Sequence, residues 1–232
     1  MMQIDPNNYK EIVFFTGAGM SAESGVPTYR GKRGIWNEYK WEEHACQAAF
    51  ERNPQKVLKF HELRRQAVLE CEPHAGHYAI TEIESKCPQT SIVTQNIDGM
   101  HQRAGTKNVS ELHGSLWRLR CPVHGVIEDI GKTYKNYTCE KCNHWLRPEI
   151  IWFNDMLDQI VMDHALVLIG QCNLFISIGT SGVVWPAAGF PQIAKANNAY
   201  CIEINPEPSE MSTIYDEIIR KPASEALTNL FL

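Results

Sequence analysis

The sequence predicts an α/β fold in which a parallel sheet with helices on both faces carries a smaller inserted module. Three observations predict it. Apolar runs rich in β-branched and aromatic residues, with little alternation, recur at 12–16, 91–94, 109–112, 174–178 and 200–204. That is the pattern of strands buried on both faces. Helical patterns separate them at 55–70, 75–85, 160–170, 186–196 and from 211 to the C-terminus. Two stretches interrupt the alternation: 32–73 is charged and rich in Trp and His, and 119–147 holds three grouped cysteines. The larger unit is therefore expected from 1–31, 74–118 and 148–232. The stretches 32–73 and 119–147 are expected to fold together as the small module, inserted twice.

Composition narrows the function classes. Of 232 residues, 44% are hydrophobic, 21% charged and 9% aromatic, which excludes disorder, collagen and coiled coil. With 22 basic against 27 acidic residues the net charge is −5, and no long like-charge run appears. A nucleic-acid partner is not expected from that balance. Residues 1–10 are polar and lack the apolar stretch of a secretory signal. No apolar run approaches the roughly 20 residues that span a bilayer. A membrane partner is not expected, and the cytoplasm is the expected compartment. There the eight cysteines serve as metal ligands or buried thiols before disulfides.

In open parallel sheets ligands bind outside the carboxyl ends of the strands, so the polar residues closing each run carry the functional reading. They are Thr16-Gly17-Ala18-Gly19, Gln95-Asn96-Ile97-Asp98, His113-Gly114, Gly179-Thr180-Ser181 and Asn205. The segment Gly17-Ala18-Gly19-Met20-Ser21-Ala22 fits the G-x-G-x-x-A pattern of a dinucleotide-binding turn. The acidic ribose contact about 20 residues further on is missing. Instead 23–31 is polar and turn-rich, the form of a lid over a cofactor or of a plain surface loop.

His113, at a strand end in Glu111-Leu-His-Gly, suits a general base near neutral pH, against the ordinary alternative of a structural histidine. Asn96 and Asp98 read both as pocket groups and as N-cap and first-turn residues of a helix at 100–104. His61 and Arg64 share one helix face, where a guanidinium fork is a natural receptor for a carboxylate. The competing reading is an exposed face laced with charge, Glu62 and Arg65 included. Trp145, Trp152 and Trp185 either line a pocket or fill the core.

Cys121-Pro-Val-His124 and Cys139-Glu-Lys-Cys142, separated by fourteen residues, read as two halves of a tetrahedral zinc site. Three thiolates and one imidazole close the shell, which makes the site structural. His144 is the alternative to His124. Between the pairs, 126–130 and 133–138 are predicted to form the hairpin of a zinc ribbon.

Taken together, these segments resemble the sirtuin family of NAD-dependent protein deacylases. The matching stretches are GAGMSAESGVPTYRG (17–31), TQNIDGMHQRAG (94–105), ELHGSL (111–116), the paired metal ligands, LRPEIIWF (146–153), GTSGVVWPAA (179–188) and EIN (203–205). The resemblance implies a Rossmann-like sheet domain with a smaller zinc-ribbon and helical module, and NAD meeting acyl-lysine proteins or peptides in the cleft between them. It implies NAD binding by Gly17, Ala18, Gly19, Ser21, Ala22, Glu23, Thr28, Tyr29, Arg30 and Trp36. Gln95, Asn96, Ile97 and Asp98 would line the nicotinamide and ribose pocket. Gly179, Thr180, Ser181, Asn205, Pro206, Glu207 and Ala223 would hold the adenosine half, and His113 would be the catalytic base. The implied reaction moves the acyl group to ADP-ribose and releases nicotinamide, so that NAD is consumed as a co-substrate.

The chain looks most like the bacterial and mitochondrial branch that removes acidic acyl groups, where a Tyr and an Arg three residues later bind the acyl carboxylate. Arg64 matches that Arg, and His61 stands in place of the Tyr. Further departures are Tyr29 for the usual Phe, His124 for a zinc cysteine, and Glu149 and Asn154 near the acyl-lysine strand. Deacetylation is the expected activity, with desuccinylation or demalonylation second. The alternatives are NAD glycohydrolase or mono-ADP-ribosyltransferase chemistry in the same pocket, and a non-catalytic, zinc-stapled NAD sensor.

Overall fold

The computed structural model describes residues 3–29 and 34–231. Its first half runs β1 (Ile12–Thr16), α1 (Ala18–Ala22), α2 (Trp41–His44), α3 (Gln47–Arg52), α4 (Pro54–Leu69), α5 (Ala75–Lys86), β2 (Thr90–Thr94), α6 (Met100–Arg103) and β3 (Val109–Glu111). There follow β4 (Gly114–Cys121), β5 (Gly125–Glu128), β6 (Arg147–Ile150), α7 (Gln159–Gln171), β7 (Leu174–Ile178), α8 (Phe190–Ala196), β8 (Tyr200–Ile204), β9 (Glu217–Ile219) and α9 (Ala223–Leu230). Among the described residues no helix is long and apolar enough to cross a membrane.

Six strands pair in parallel in the order β3-β2-β1-β7-β8-β9. Every residue of β1 and β7 is buried, which is why those runs show no polar alternation. Their side chains still alternate between two cores. Ile12, Phe14, Leu174 and Ile176 pack with Ile80 and Ile83 of α5 and Leu227 and Leu230 of α9. Val13, Phe15 and Phe175 pack with Ala165 and Ile169 of α7 and Phe190 and Ala194 of α8. The chain steps outward from β1 to β3, then returns to β7 on the other side of β1. The sheet thus has a topological switch point between β1 and β7, where ligands of doubly wound folds bind.

A second sheet, β5-β4-β6, is antiparallel. It packs on the α3–α4 helices through Phe50, Val57, Leu58, Leu119, Leu146 and Ile150. Helix α4 starts at Pro54, with the Asn53 side chain accepting from the Lys56 N–H at 3.0 Å.

Four expectations are corrected. The predicted 126–130/133–138 hairpin does not form: β5 pairs with β4, and the second segment contributes one bridge, Thr138 to Trp145. Carboxylates take its backbone donors instead, Glu62 from the Tyr134 N–H at 2.9 Å and Asp129 from the Lys135 N–H at 3.0 Å. From 211 onward the chain is not one helix. A turn at Ser212–Ile214 and strand β9 precede α9, because 217–219 finds an edge beside β8 and Pro222 stands at the helix cap. Asn96 is not the cap of α6, which begins after left-handed Gly99 (φ 73°) with Asp98 accepting from the Met100 N–H at 2.9 Å. Finally, Glu62 and Arg65 are not a solvated face. Arg65 is wholly buried (0% exposed), donating to Asp129 at 2.8 Å and to the Gly131 carbonyl at 2.7 Å, with its guanidinium over Tyr134 and Trp117. Its hydrogen-bond partners lie more than sixty residues away in sequence, out of reach of helix-face arithmetic.

Candidate active site

The loops after β1 and β7 meet at the switch point, backbone on backbone. The Gly17 N–H donates to Ile178 O and the Gly19 N–H to Gly179 O, both at 2.9 Å. A Cβ on Gly19 would lie 2.6 Å from the Gly179 Cα, so no larger residue fits between the two loops. Gly179 also has φ +61°, the left-handed region that favours glycine. The β8 end joins the same edge: the Asn205 amide donates to Thr180 O at 2.8 Å, and Ser181 O accepts from the Glu210 N–H at 3.2 Å. Ser181, Pro206 and Glu207 are exposed beside it. Ala22 is exposed, and Glu23 binds the Ser224 N–H at 3.0 Å, tying the first loop to the start of α9 next to buried Ala223.

Ala18, Val26, Pro27, Tyr29, Arg64, Asn96, Ile97 and Asp98 line one pocket. Asn96 is buried, its amide donating to Gly17 O at 2.9 Å and to Ser21 Oγ at 3.3 Å. It therefore locks the β2 end to the glycine loop. Burial pushes the Asp98 carboxyl up, against the Met100 N–H and the Ser21 hydroxyl, which favour its charged form. The Asp98 carbonyl accepts from the Trp117 indole at 2.8 Å, and Ile97 O from the Leu116 N–H at 2.9 Å.

His113, half-buried at the β3–β4 junction, has Nδ1 2.9 Å from Gln95 O. A carbonyl only accepts, so Nδ1 carries the proton and Nε2 the lone pair. Burial pushes the imidazole pKa down, outweighing the Gln95 bond that favours protonation. The ring is thus neutral near pH 7, with its basic atom set by the backbone of the strand end that also carries Asn96.

The helix face of α4 divides. Arg64 points to Tyr29, donating to its hydroxyl at 2.7 Å with the guanidinium 4.8 Å from the ring centroid. His61 turns inward (1% exposed), stacked on Trp152 and accepting from its indole N–H at Nε2, 3.2 Å away. Burial holds the His61 pKa well below the usual imidazole range, with Arg64 adding to the effect. Trp36 packs against Tyr29, Phe60 and Phe153, and the Ile35 and Trp36 N–H groups bond back to Thr28 and Tyr29. Arg30 lies outside the described residues. Trp152 is core, whereas Trp145 and Trp185 are exposed.

The ligand atoms of Cys121, His124, Cys139 and Cys142 all lie within 4.8 Å of one another. Cys121 Sγ is 3.6 Å from His124 Nδ1 and 3.5 Å from Cys142 Sγ, and Cys139 Sγ is 3.5 Å from His124 Nδ1. A zinc tetrahedron with bonds of about 2.3 Å to sulfur and about 2.0 Å to nitrogen has edges of roughly 3.5–3.8 Å. The four side chains fit that ion, and His124 rather than His144 completes the set.

Sequence reasoning missed what joins this metal cluster to the pocket. Arg65, next to Arg64 on α4, is clamped to Asp129, and Glu62 accepts from Tyr134 N and from the Tyr137 hydroxyl at 2.9 Å each. The only available signal was a charged helix meeting an acidic residue in the cysteine-bearing insertion.

The profile of the Sir2 family matches residues 17–186. An NAD-dependent protein deacylase of Aquifex aeolicus is 42% identical over 228 residues, covering 95% of this chain and 93% of that protein. A Sir2 homologue solved in complex with NAD superposes with a TM-score of 0.88 at 39% identity, covering 96% of this chain and 88% of that one. A substituted Sir2 homologue bound to 2′-O-acetyl-ADP-ribose gives a TM-score of 0.88 at 40% identity, over 96% and 90%.

Proposed function

This chain belongs to the Sir2 family, and we propose that it is an NAD-dependent protein-lysine deacylase that transfers the acyl group to ADP-ribose and releases nicotinamide. The observation that carries the reading is His113: a neutral imidazole whose Nδ1–H is held by Gln95 O beside the pocket of Asn96 and Asp98. NAD, when bound, supplies an activated ribose carbon and the hydroxyls that receive the acyl group. His113 takes up a hydroxyl proton at Nε2. Asn96 and Ser21 hold the ribose side of the glycine loop, Ile97 keeps water from the reacting centre, and the packed glycine turns admit the pyrophosphate against backbone. Gly179, Thr180, Ser181, Asn205, Pro206 and Glu207 take the adenosine half. A zinc ion held by Cys121, His124, Cys139 and Cys142 has its shell filled by protein and acts as a staple.

For acyl preference we read acetyl ahead of succinyl. The lone pair of His61 Nε2 is spent on Trp152, and burial keeps the ring uncharged. An acyl carboxylate would therefore meet Arg64 alone, and Arg64 is already held by Tyr29. The substrates are acyl-lysine proteins or peptides. The compartment we propose is the cytoplasm, where cysteines serve as metal ligands or buried thiols before disulfides.

The test is mass spectrometry of the purified protein with NAD and matched acetyl-lysine and succinyl-lysine peptides. Acetyl-ADP-ribose and free lysine peptide are the expected products. Loss of NAD with both peptides intact would replace this reading by a glycohydrolase, and ADP-ribose on a protein by a transferase.

A further inference from the structure

We infer that Glu203 and Arg220 are positioning residues for the adenosine half of NAD, acting through the loop 205–212 that they hold in place. The inference rests on the NAD-dependent reading above. Glu203 sits near the end of β8, in a strand otherwise lined by Tyr, Cys and Ile, and is 1% exposed. A carboxylate there has no packing value and must be compensated by donors. It accepts from Arg220 Nη1 at 2.6 Å, from the Ser212 hydroxyl at 2.6 Å and from the Ser209 hydroxyl.

The same guanidinium reaches the loop backbone. Arg220 Nη1 donates to Asn205 O at 3.2 Å and to Glu207 O at 3.4 Å, and Nη2 to Ser212 Oγ at 3.0 Å. The Ser209 N–H adds a bond to Ser212 Oγ at 2.8 Å. One ionic centre thus fixes residues 205, 207, 209 and 212. That loop in turn sets two groups at the mouth of the crevice: the Asn205 amide on Thr180 O, and Ser181, whose carbonyl is held by the Glu210 N–H. A cation that served only to neutralise buried Glu203 would not need its guanidinium, on a side chain still 31% exposed, spread over two loop carbonyls. Here the fork converts one buried charge into the shape of the nucleotide-side rim.

The test compares the full-length wild type with Arg220→Met, Arg220→Lys and Ser212→Ala. Binding of ADP-ribose and of an acetyl-lysine peptide is measured by calorimetry, and KM for NAD and kcat by steady-state kinetics. Arg220→Met is expected to weaken ADP-ribose binding and raise the KM for NAD about tenfold, with peptide affinity held and kcat at saturating NAD changed far less. Arg220→Lys is expected to recover part of the loss, since an ammonium reaches the carboxylate without forking onto the carbonyls. Ser212→Ala, which leaves the ion pair in place, gives a smaller shift of the same kind and serves if Arg220→Met fails to fold. Unchanged ADP-ribose binding with a lowered melting temperature would overturn the inference, as would a fall in kcat at constant KM. A wild type that binds no ADP-ribose would instead remove the NAD reading itself.

Discussion

Around the six-stranded sheet the two cores are mainly Ile, Leu, Val, Phe and Ala, and polar side chains gather at the carboxyl ends of the strands, where the crevice opens. The three-stranded sheet adds to its apolar core a buried Arg65–Asp129 pair and a buried Glu62, and carries at its edge a cluster of three thiols and an exposed imidazole. The strands β4, β5 and β6 and the helices α3 and α4 have an apolar core of their own, with Phe50, Val57, Leu58, Leu119, Leu146 and Ile150 in it, and the charges and ligands are added to that core. Each region is therefore vulnerable in its own way. The larger sheet loses stability in small increments, one methylene at a time, whereas the smaller module depends on a few charges and ligands whose removal acts at once. Because Arg64 stands beside Arg65 on α4 and lines the pocket with Asn96 and Asp98, failure of the small module also dismantles one wall of the site.

Metal removal should separate the two regions most sharply. Structural zinc contributes on the order of 10 kcal/mol, so Cys139→Ser or a strong chelator is expected to abolish hydrogen-exchange protection in β4, β6 and α4. The β1, β2 and β7 amides should stay protected. Equal loss in both regions would break the contrast.

His113→Ala is the opposite case, removing chemistry and leaving structure. Deacylation should fall by about two to four orders of magnitude with little change in melting temperature. In the wild type the acid limb of kcat/KM should lie below pH ~6.5, because burial depresses this imidazole. A limb above that value would remove His113 as the titrating base.

Arg65→Met leaves Asp129 buried without its cation and should cost about 3–5 kcal/mol in denaturant unfolding. Adding Asp129→Leu is expected to recover most of it, which additive losses would contradict.

Acid should reach the larger region through His77 and His101, whose rings lie 5.1 Å apart and whose pKa values burial and neighbouring histidines lower to about 2 and about 4. Unfolding lets both bind protons near pH ~6.5. Their stabilisation is therefore complete above that pH and is lost as pH falls, by about 1.4 kcal/mol per pH unit for each histidine. Urea titrations between pH 7 and 5 would measure the slope, and a flat profile would contradict it. The smallest effect belongs to Arg64→Met, expected to change deacetylation less than about threefold. A selective loss of desuccinylation would restore Arg64 as a carboxylate receptor.

Much of the larger region was legible in its residues. The runs at 12–16, 174–178 and 200–204 are strands at those bounds because burial on both faces leaves a continuous apolar signature. The candidate metal cluster was legible because paired ligands two residues apart express local geometry, and Cys121, His124, Cys139 and Cys142 do converge. The 133–138 segment, the C-terminal strand and the cap of α6 were not, because in each a distant partner or a proline outweighed local pattern. The same holds for Glu62 and Arg65, read as a solvated face until Tyr134, Tyr137 and Asp129 came to meet them.

Strand–helix alternation, the glycine turns and the ligand spacing could be read from the residues alone, since each is a property of residues near one another in the chain. Which charges are buried, how His61 turns to Trp152 while Arg64 turns to Tyr29, and which nitrogen of His113 holds the proton were fixed by folding. Those outcomes depend on desolvation and on donors and acceptors supplied from far along the chain, and a buried polar group takes its character from the partner it finds.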